Sequence, residues 1–260
     1  MGRLADKDRA ERQERQLANA PNAADFSEAL ARGLAVLSAF GPDRRRLTQA
    51  DLARELDLSR ATVRRAVLTL EHLGFLVMDG RAYELTPRVL RLASGYLTSN
   101  VAGVIMQPVC DRICGELGEA CSVAVLDGPD AVMIARSVPN RLLQIGSGIG
   151  YRTPAAISSL GKVLLAHLPP EERAAKLAEV PDAPSGEVLD RVLRDGYSYV
   201  ADDVERGAHS IAVPLRRWDD RTIAALHVGC RIEQISPEVM HGDVLKVLRE
   251  AAEELHHQLM

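Results

Sequence analysis

Residues 47–77 read LTQADLARELDLSRATVRRAVLTLEHLGFLV. Two amphipathic segments lie in this stretch, separated by a joint of a few residues. In the first, Leu52, Ala53 and Leu56 share one side; in the second, Val63, Val67 and Leu70 do, with Ala66 beside them. Thr48 and Ser59 each stand where a hydroxyl can accept from an orphan backbone N–H and start a helix. Asp57-Leu58 forms the joint, and Gly74 ends the second helix. The runs FLVM and AYEL then flank Asp79-Gly80-Arg81. Asp-Gly between two β-prone runs predicts a hairpin, because the tight turn needs positive φ at its centre. Upstream, FSEALARGLAVLSAF (residues 26–40) predicts a helix carrying Leu30, Leu34 and Leu37 on one face, stopped by Gly41-Pro42. Helix, helix, tight turn, helix and hairpin is the order of a winged helix-turn-helix.

That motif seats its second helix in a DNA major groove. Ser59, Arg60, Ala61, Arg64 and Arg65 fall on the N-terminal side that meets base edges. An arginine there can bridge guanine O6 and N7, worth ~1–3 kcal/mol of discrimination per good contact. Thr48 and Thr62 place hydroxyls near phosphates, and Arg81 at the hairpin tip faces the minor groove or backbone. A lone RxxxRR on a helix is ordinarily a solvated face; the capped helix, the small crossing residue Ala53 and the hairpin turn the reading toward DNA. Asp57 occupies a joint where many such motifs carry glycine, and aspartate tolerates left-handed backbone better than most residues.

Charge distribution agrees. The 260-residue chain has a net charge of −4. Residues 1–95 hold 16 basic against 13 acidic side chains, and residues 96–260 hold 16 against 23. Seven arginines (44, 45, 46, 54, 60, 64 and 65) crowd residues 44–65 against Asp51, Glu55 and Asp57. A local basic stripe on a mildly acidic chain suits one domain that docks on phosphates and another that does not. No apolar run approaches the ~20 residues that span a bilayer. The N-terminus, MGRLADKDRAERQERQLANA, lacks the apolar stretch of a secretory signal, so a cytoplasmic protein without membrane partners is expected. Cys110, Cys114, Cys121 and Cys230 show no CxxC spacing and read as buried thiols.

The expected organisation is a mobile tail over residues 1–24, the winged helix-turn-helix over 25–85, a linker helix over 86–100 opened by Thr86-Pro87, and a second domain over 101–260. In that domain IMQPVCDRICGELGEA, SSLGKVLLAHL, PPEERAAKLAEV and the residue 237–260 segment read as helices. CSVAVLD, AVMIARS, RLLQIGS, the YSYV run, HSIAVPLRR and RTIAALHVGCR read as strands. The fold class is α+β, with helices packed on one mostly antiparallel sheet.

Three segments of the second domain carry candidate chemistry. Ser158, Ser159 and Leu160 open a helix whose free N–H groups suit an anion. Asp202 and Asp203 follow a strand, and His209, Ser210 and His227 lie on strands. Arg136, Arg141 and Arg152 are further partners for a carboxylate. Ser159, His209 and Asp203 also have the residue types of a hydrolytic triad, yet no GxSxG elbow orders them. The glycine-rich IGSGIG lacks the rest of a dinucleotide fingerprint, and Cys110 and Cys114 lack a histidine at zinc-ligand spacing. No catalytic residue, cofactor or metal is expected.

The stretch LTQADLARELDLSRATVRRAVLTLEHLGFL resembles the DNA-binding domain of the IclR family of bacterial transcription regulators. SSLGKVLLAHL and RDGYSYVADDVERGAHSIAVPL resemble that family's effector-binding domain, in the right order, so the likeness covers about residues 25–257. RSVPNRLL, GYRTPAAISSLGKVLLA and HSIAVPL resemble the branch controlling aromatic-acid (β-ketoadipate pathway) genes. The resemblance implies a GAF-like ligand domain, a homodimer or dimer of dimers, a two-half-site double-stranded operator and a small organic acid effector. It implies a pocket lined by Ser158, Ser159, Leu160, Asp202, Asp203, His209, Ser210 and His227. The aromatic-acid branch usually carries arginine where His209 stands, so this chain would offer a weaker, pH-dependent carboxylate partner there.

Overall fold

The computed structural model describes residues 26–41, 43–99, 101–139 and 148–259. The tail expected over residues 1–24, the strand expected at RLLQIGS and Arg141 lie outside them. Two compact units emerge, Met1–Ser94 and Gly95–Met260.

In the first unit, Ser27 caps α1 (Glu28–Ser38) by accepting from Leu30 N. The face α1 turns to the core carries Val36, with Leu37 half-buried and Ala39 and Phe40 just beyond the helix. Leu30 and Leu34 stay 63% and 53% exposed. Thr48 and Asp51 form a capping box at the start of α2 (Gln49–Glu55). Ser59 accepts from Thr62 N to start α3 (Arg60–His72), whose Val63, Val67 and Leu70 are buried. Asp57 in the joint has φ +51, the left-handed conformation its residue type tolerates. The hairpin is β2 (Leu76–Asp79) and β3 (Ala82–Leu85), turning at Gly80 with φ +64. A short β1 (Leu47–Thr48) pairs with β3 and completes a sheet of order β1-β3-β2. Two residues are too few to show an alternation, so β1 leaves no pattern in the sequence. Leu47, Leu52, Val63, Val67, Leu70, Leu76 and Tyr83 close one core. A 3-10 turn (Pro87–Val89) leads into α4 (Leu90–Ser99), a short turn ahead of the helix expected there.

The second unit runs α5 (Val101–Leu117), β4 (Ala120–Asp127), β5 (Asp130–Ser137), β6 (Arg152–Pro154), α6 (Ser159–Ala166), α7 (Pro170–Glu179), α8 (Gly186–Asp195), β7 (Ser198–Ala201), β8 (Ala208–Arg216) and β9 (Thr222–Arg231). A closing helix joins a short α turn (Pro237–Val239), a π turn (Met240–Val244) and α9 (Leu245–His256), where the sequence reading had one uninterrupted helix. Among the described residues the strands form one antiparallel sheet of order β6-β5-β4-β9-β8-β7. Both faces are covered, which explains the dense apolar strands. Cys121, Val123, Ile211, Val213, Leu226 and Val228 meet α5 and α9 on one side. Ala124, Met133, Ala212 and Ala225 meet α6 on the other. Gly161 lets α6 pass against the chain: a Cβ there would lie 2.1 Å from Ala155 Cα.

Candidate operator-reading helix and effector site

The arginines of residues 44–65 divide by task. Arg44 pairs with Glu55, Arg46 with Asp79 and Glu84, and Arg54 with Asp51. These pairs brace the first unit. Arg60, Arg64, Arg65 and Arg81 are exposed and make no ion pair among the described residues. Ser59 and Ala61 are exposed beside them, and Thr62 Oγ1 lies 2.9 Å from Ser59 Oγ. Thr48 needs a correction as a phosphate donor. Its hydroxyl accepts from Asp51 N at 3.2 Å and donates to Asp51 Oδ2 at 2.7 Å, so its one proton is engaged inside the capping box.

In the second unit a polar row crosses the α6 side of the sheet. Strand register places Ser122 opposite both Arg136 and His227. Arg136 Nη1 lies 3.4 Å from Ser122 Oγ and 2.7 Å from Met133 Sδ, with its guanidinium carbon 6.0 Å from the Tyr151 ring centroid. Gln107 on α5 clamps the Arg136 backbone in both directions, accepting from its N–H at 3.1 Å and donating to its carbonyl at 3.0 Å. Burial pulls the Arg136 guanidinium below its ordinary value. Burial, with Arg136 adding, holds His227 at about 3, so its imidazole is neutral at physiological pH. Gly229 makes room for that ring: a Cβ there would sit 2.9 Å from His227 Nε2. Ser159, buried at the start of α6, bonds Ser210 through their hydroxyls at 2.8 Å. Arg136 Nε, His227 Nδ1 and Thr153 Oγ1 are buried without a partner among the described residues.

Other expected site residues take structural tasks. Ser158 accepts from Gly161 N at 3.1 Å and caps α6. Leu160 is buried in the core under the sheet. Asp202, with φ +62, accepts from Gly207 N at 2.6 Å and closes a turn. Asp203 pairs with Lys162 at 3.1 Å. Arg152 pairs with Asp130 at 3.0 Å and Asp127 at 2.7 Å.

His209 is the main correction. Successive strand residues point to opposite faces, so His209 turns away from the side that Ser210 shares with Ser159. It is 3% exposed, with Nδ1 2.9 Å from the Tyr199 hydroxyl and Nε2 3.2 Å from Cys230 Sγ. The Tyr199 ring packs at a tilt, 4.5 Å between centroids, on His241 in the π turn, and His241 Nδ1 lies 3.1 Å from the Tyr197 hydroxyl. Ser159, His209 and Asp203 therefore do not assemble as a triad. Period-two alternation, applied to HSIAVPL, already separates His209 from Ser210. Ser122 was missed because an isolated serine in an apolar strand carries no signal without the register.

The described cysteines are buried and form no disulfide, and no group of three or more His, Cys, Asp or Glu side chains among the described residues is placed to hold a metal ion. No helix among the described residues is long and apolar enough to cross a membrane.

Known proteins share both units. The IclR helix-turn-helix domain matches residues 29–80, and the C-terminal domain of the bacterial transcriptional regulator IclR matches residues 95–257. The Pca regulon regulatory protein of Pseudomonas putida is 35% identical over 247 residues, covering 90% of this chain and 85% of that protein. The p-hydroxybenzoate hydroxylase transcriptional activator of Acinetobacter baylyi is 34% identical over 249 residues, covering 90% and 92%. The structure of an IclR homolog from Microbacterium hydrocarbonoxydans complexed with 4-hydroxybenzoate superposes with TM-score 0.73 at 27% identity, covering 89% of this chain and 99% of that one. With both halves matched in order, the chain belongs to the IclR family of bacterial transcriptional regulators, a winged helix-turn-helix DNA reader followed by an effector domain, and is similar to that family's regulators of aromatic catabolism.

Proposed function

We propose that this regulator takes a hydroxylated aromatic monocarboxylic acid on the α6 side of its sheet and changes operator binding in response. The observation that carries this reading is the juxtaposition of Arg136 with a neutral His227, each with a buried nitrogen that no group among the described residues satisfies. A buried donor or acceptor left unpaired costs ~1–3 kcal/mol, so the site is polar in want of a partner. Arg136 meets the carboxylate, while His227 with the Ser159–Ser210 pair meets a ring hydroxyl. Relatives bearing the names of p-hydroxybenzoate and Pca regulation, and the 4-hydroxybenzoate complex, support the ligand class.

On the DNA side, Arg60, Arg64 and Arg65 read base edges from α3, Ser59, Ala61 and Thr62 line the same surface, and Arg81 reaches the backbone or minor groove from the hairpin. The regulator acts as a dimer or dimer of dimers. Exposed Leu30 and Leu34 on α1, and Leu90, Leu92 and Tyr96 on α4, support this, because apolar side chains of that size in groups mark contact surfaces. The effector acts through its differential affinity for two arrangements of the molecule.

The test is operator binding over a salt series, with and without 4-hydroxybenzoate, on the wild type and on Arg136→Gln. A charge-assisted contact of ~1.5–3 kcal/mol predicts a roughly ten- to hundredfold loss of acid affinity in the variant, with operator affinity retained. A variant that responds to the acid as the wild type does would remove Arg136 from the site.

A further inference from the structure

Arg136 is held from two sides of the sheet. Its side chain lies in the polar row on the α6 side, beside Ser122 and Met133. Its backbone is gripped from α5, a helix that packs on the opposite side. Toward β4, Arg136 pairs with Ser122. Toward β6, pairing runs only from Asp130 to Val132, so among the described residues no strand serves the Arg136 backbone there. The side-chain amide of Gln107 takes the place of that strand. It accepts from the Arg136 N–H at 3.1 Å and donates to the Arg136 carbonyl at 3.0 Å, as a neighbouring strand residue would.

This amide has one orientation. Nε2 gives its other proton to Asp111 Oδ1 at 2.9 Å, one turn further along α5. Exchanging the amide oxygen and nitrogen would set donor against donor at the Arg136 N–H, and acceptor against acceptor at the Arg136 carbonyl and Asp111. Pro108 follows at once within α5. Proline has no N–H, so the Val104 carbonyl lacks the helix bond that residue 108 would otherwise give it. The helix is therefore weakened at the turn that ends in Gln107. α5 begins at Val101, just after α4 ends at Ser99, and the division between the two compact units falls within α4.

We infer that Gln107 is a positioning residue for the acid response: it passes a displacement of the Arg136 backbone into α5, and so along the chain toward α4. This rests on the proposed meeting of Arg136 with a carboxylate. An acid that draws on the guanidinium also moves the β5 backbone, and a two-point grip has no slack to absorb the shift. The missing bond at Pro108 lets the first turn of α5 follow. Gln107 itself stands on the side of the sheet away from α6 and does not meet the acid. Its removal thus separates binding from response.

The experiment compares the full chain with Gln107→Leu. Affinity for 4-hydroxybenzoate is measured by isothermal titration, and operator affinity with and without saturating acid. Leucine suits a helix and offers neither hydrogen bond. In the wild type the acid is expected to change operator affinity by about fivefold or more, within the usual range of coupling between sites. In Gln107→Leu that ratio should fall below about twofold, with acid affinity and acid-free operator affinity close to those of the wild type. Gln107→Glu keeps the length and still accepts from the Arg136 N–H, but cannot donate to the carbonyl, and should give an intermediate ratio. It also serves should the leucine variant misfold. A ratio equal to that of the wild type in both variants would overturn the inference. So would loss of acid binding together with a lowered melting temperature in both, since Gln107 would then be a structural support alone. Arg136→Gln tells the two failures apart. If it binds the acid as the wild type does, the effector-site reading falls and the inference with it. If it loses acid binding while both Gln107 variants respond in full, the inference alone falls.

Discussion

His227 is held neutral by its surroundings, and that has a cost in acid. Burial, reinforced by Arg136, keeps its pKa at about 3, against 6.5 for an unperturbed histidine. Between those values the unfolded chain takes up a proton that the folded chain refuses. Stability therefore falls as pH drops through that window, by up to about 1.4 kcal/mol per pH unit for this one group. Burial also lowers His167 and His209, which act in the same direction, so the measurement must be differential. Urea unfolding between pH 7 and pH 4 should show a shallower slope for His227→Gln than for the wild type; equal slopes would mean that His227 titrates normally. Arg64 offers the corresponding test on the DNA side. Arg64→Ala should weaken specific operator binding by ~1–3 kcal/mol and relax selectivity at one base pair. Unchanged affinity in a gel-shift titration would remove it from the base-reading set.

The strand pattern of the second unit turns on how closely α6 lies against its neighbours. Gly161 has no room for a side chain, since an added Cβ would come within 2.1–2.5 Å of Ala155 backbone atoms. Backbone cannot step aside as a flexible side chain can. Gly161→Ala should cost ~3 kcal/mol or more, seen as a clear drop in the unfolding midpoint and loss of acid binding; a variant as stable as the wild type would show that the loop moves freely. Such a constraint cannot be read from the letters SSLGKVLL, where glycine in a helix signals only lost stability. What the letters do convey is local. Caps at Thr48 and Ser59, the Asp-Gly turn and helical periodicity locate α1–α3 and the hairpin. Two-residue β1 and three-residue β6 are too short to carry a pattern. Arg44 and Arg46 counted toward a basic stripe in the sequence, whereas their carboxylate partners, 11 to 38 residues away, appear only in three dimensions. Likewise Arg136 and Ser122 join His227 only through register.

For the chain as a whole, the separate cores imply separable defects. The proposed dimer contact rests on apolar side chains left outside those cores. Leu30 and Leu34 on α1 and Leu90 and Leu92 on α4 are each more than half exposed. Fully burying a leucine contributes ~1.5–3 kcal/mol, so a few such residues supply much of a stable interface. Leu30→Glu/Leu92→Glu should shift the sedimentation coefficient toward that of a single chain and weaken operator binding, because one chain meets one half-site. A double variant that sediments as the wild type does would place the interface elsewhere.

The π turn at Met240–Val244 holds one residue more than an α-helical turn would need. Were that slack to close, every residue beyond it would swing about the helix axis by roughly 100°. Leu248, Ala251 and Leu255 would leave the sheet, and charged neighbours would enter. The helix end is thus keyed to the bulge like a tooth in a gear. His241 sits in that tooth, bonded to Tyr197 and packed at a tilt on Tyr199, which in turn reaches His209. His209 and Ser210 are neighbours on one strand, so this run of contacts ends one residue away from the Ser159–Ser210 pair on the other face.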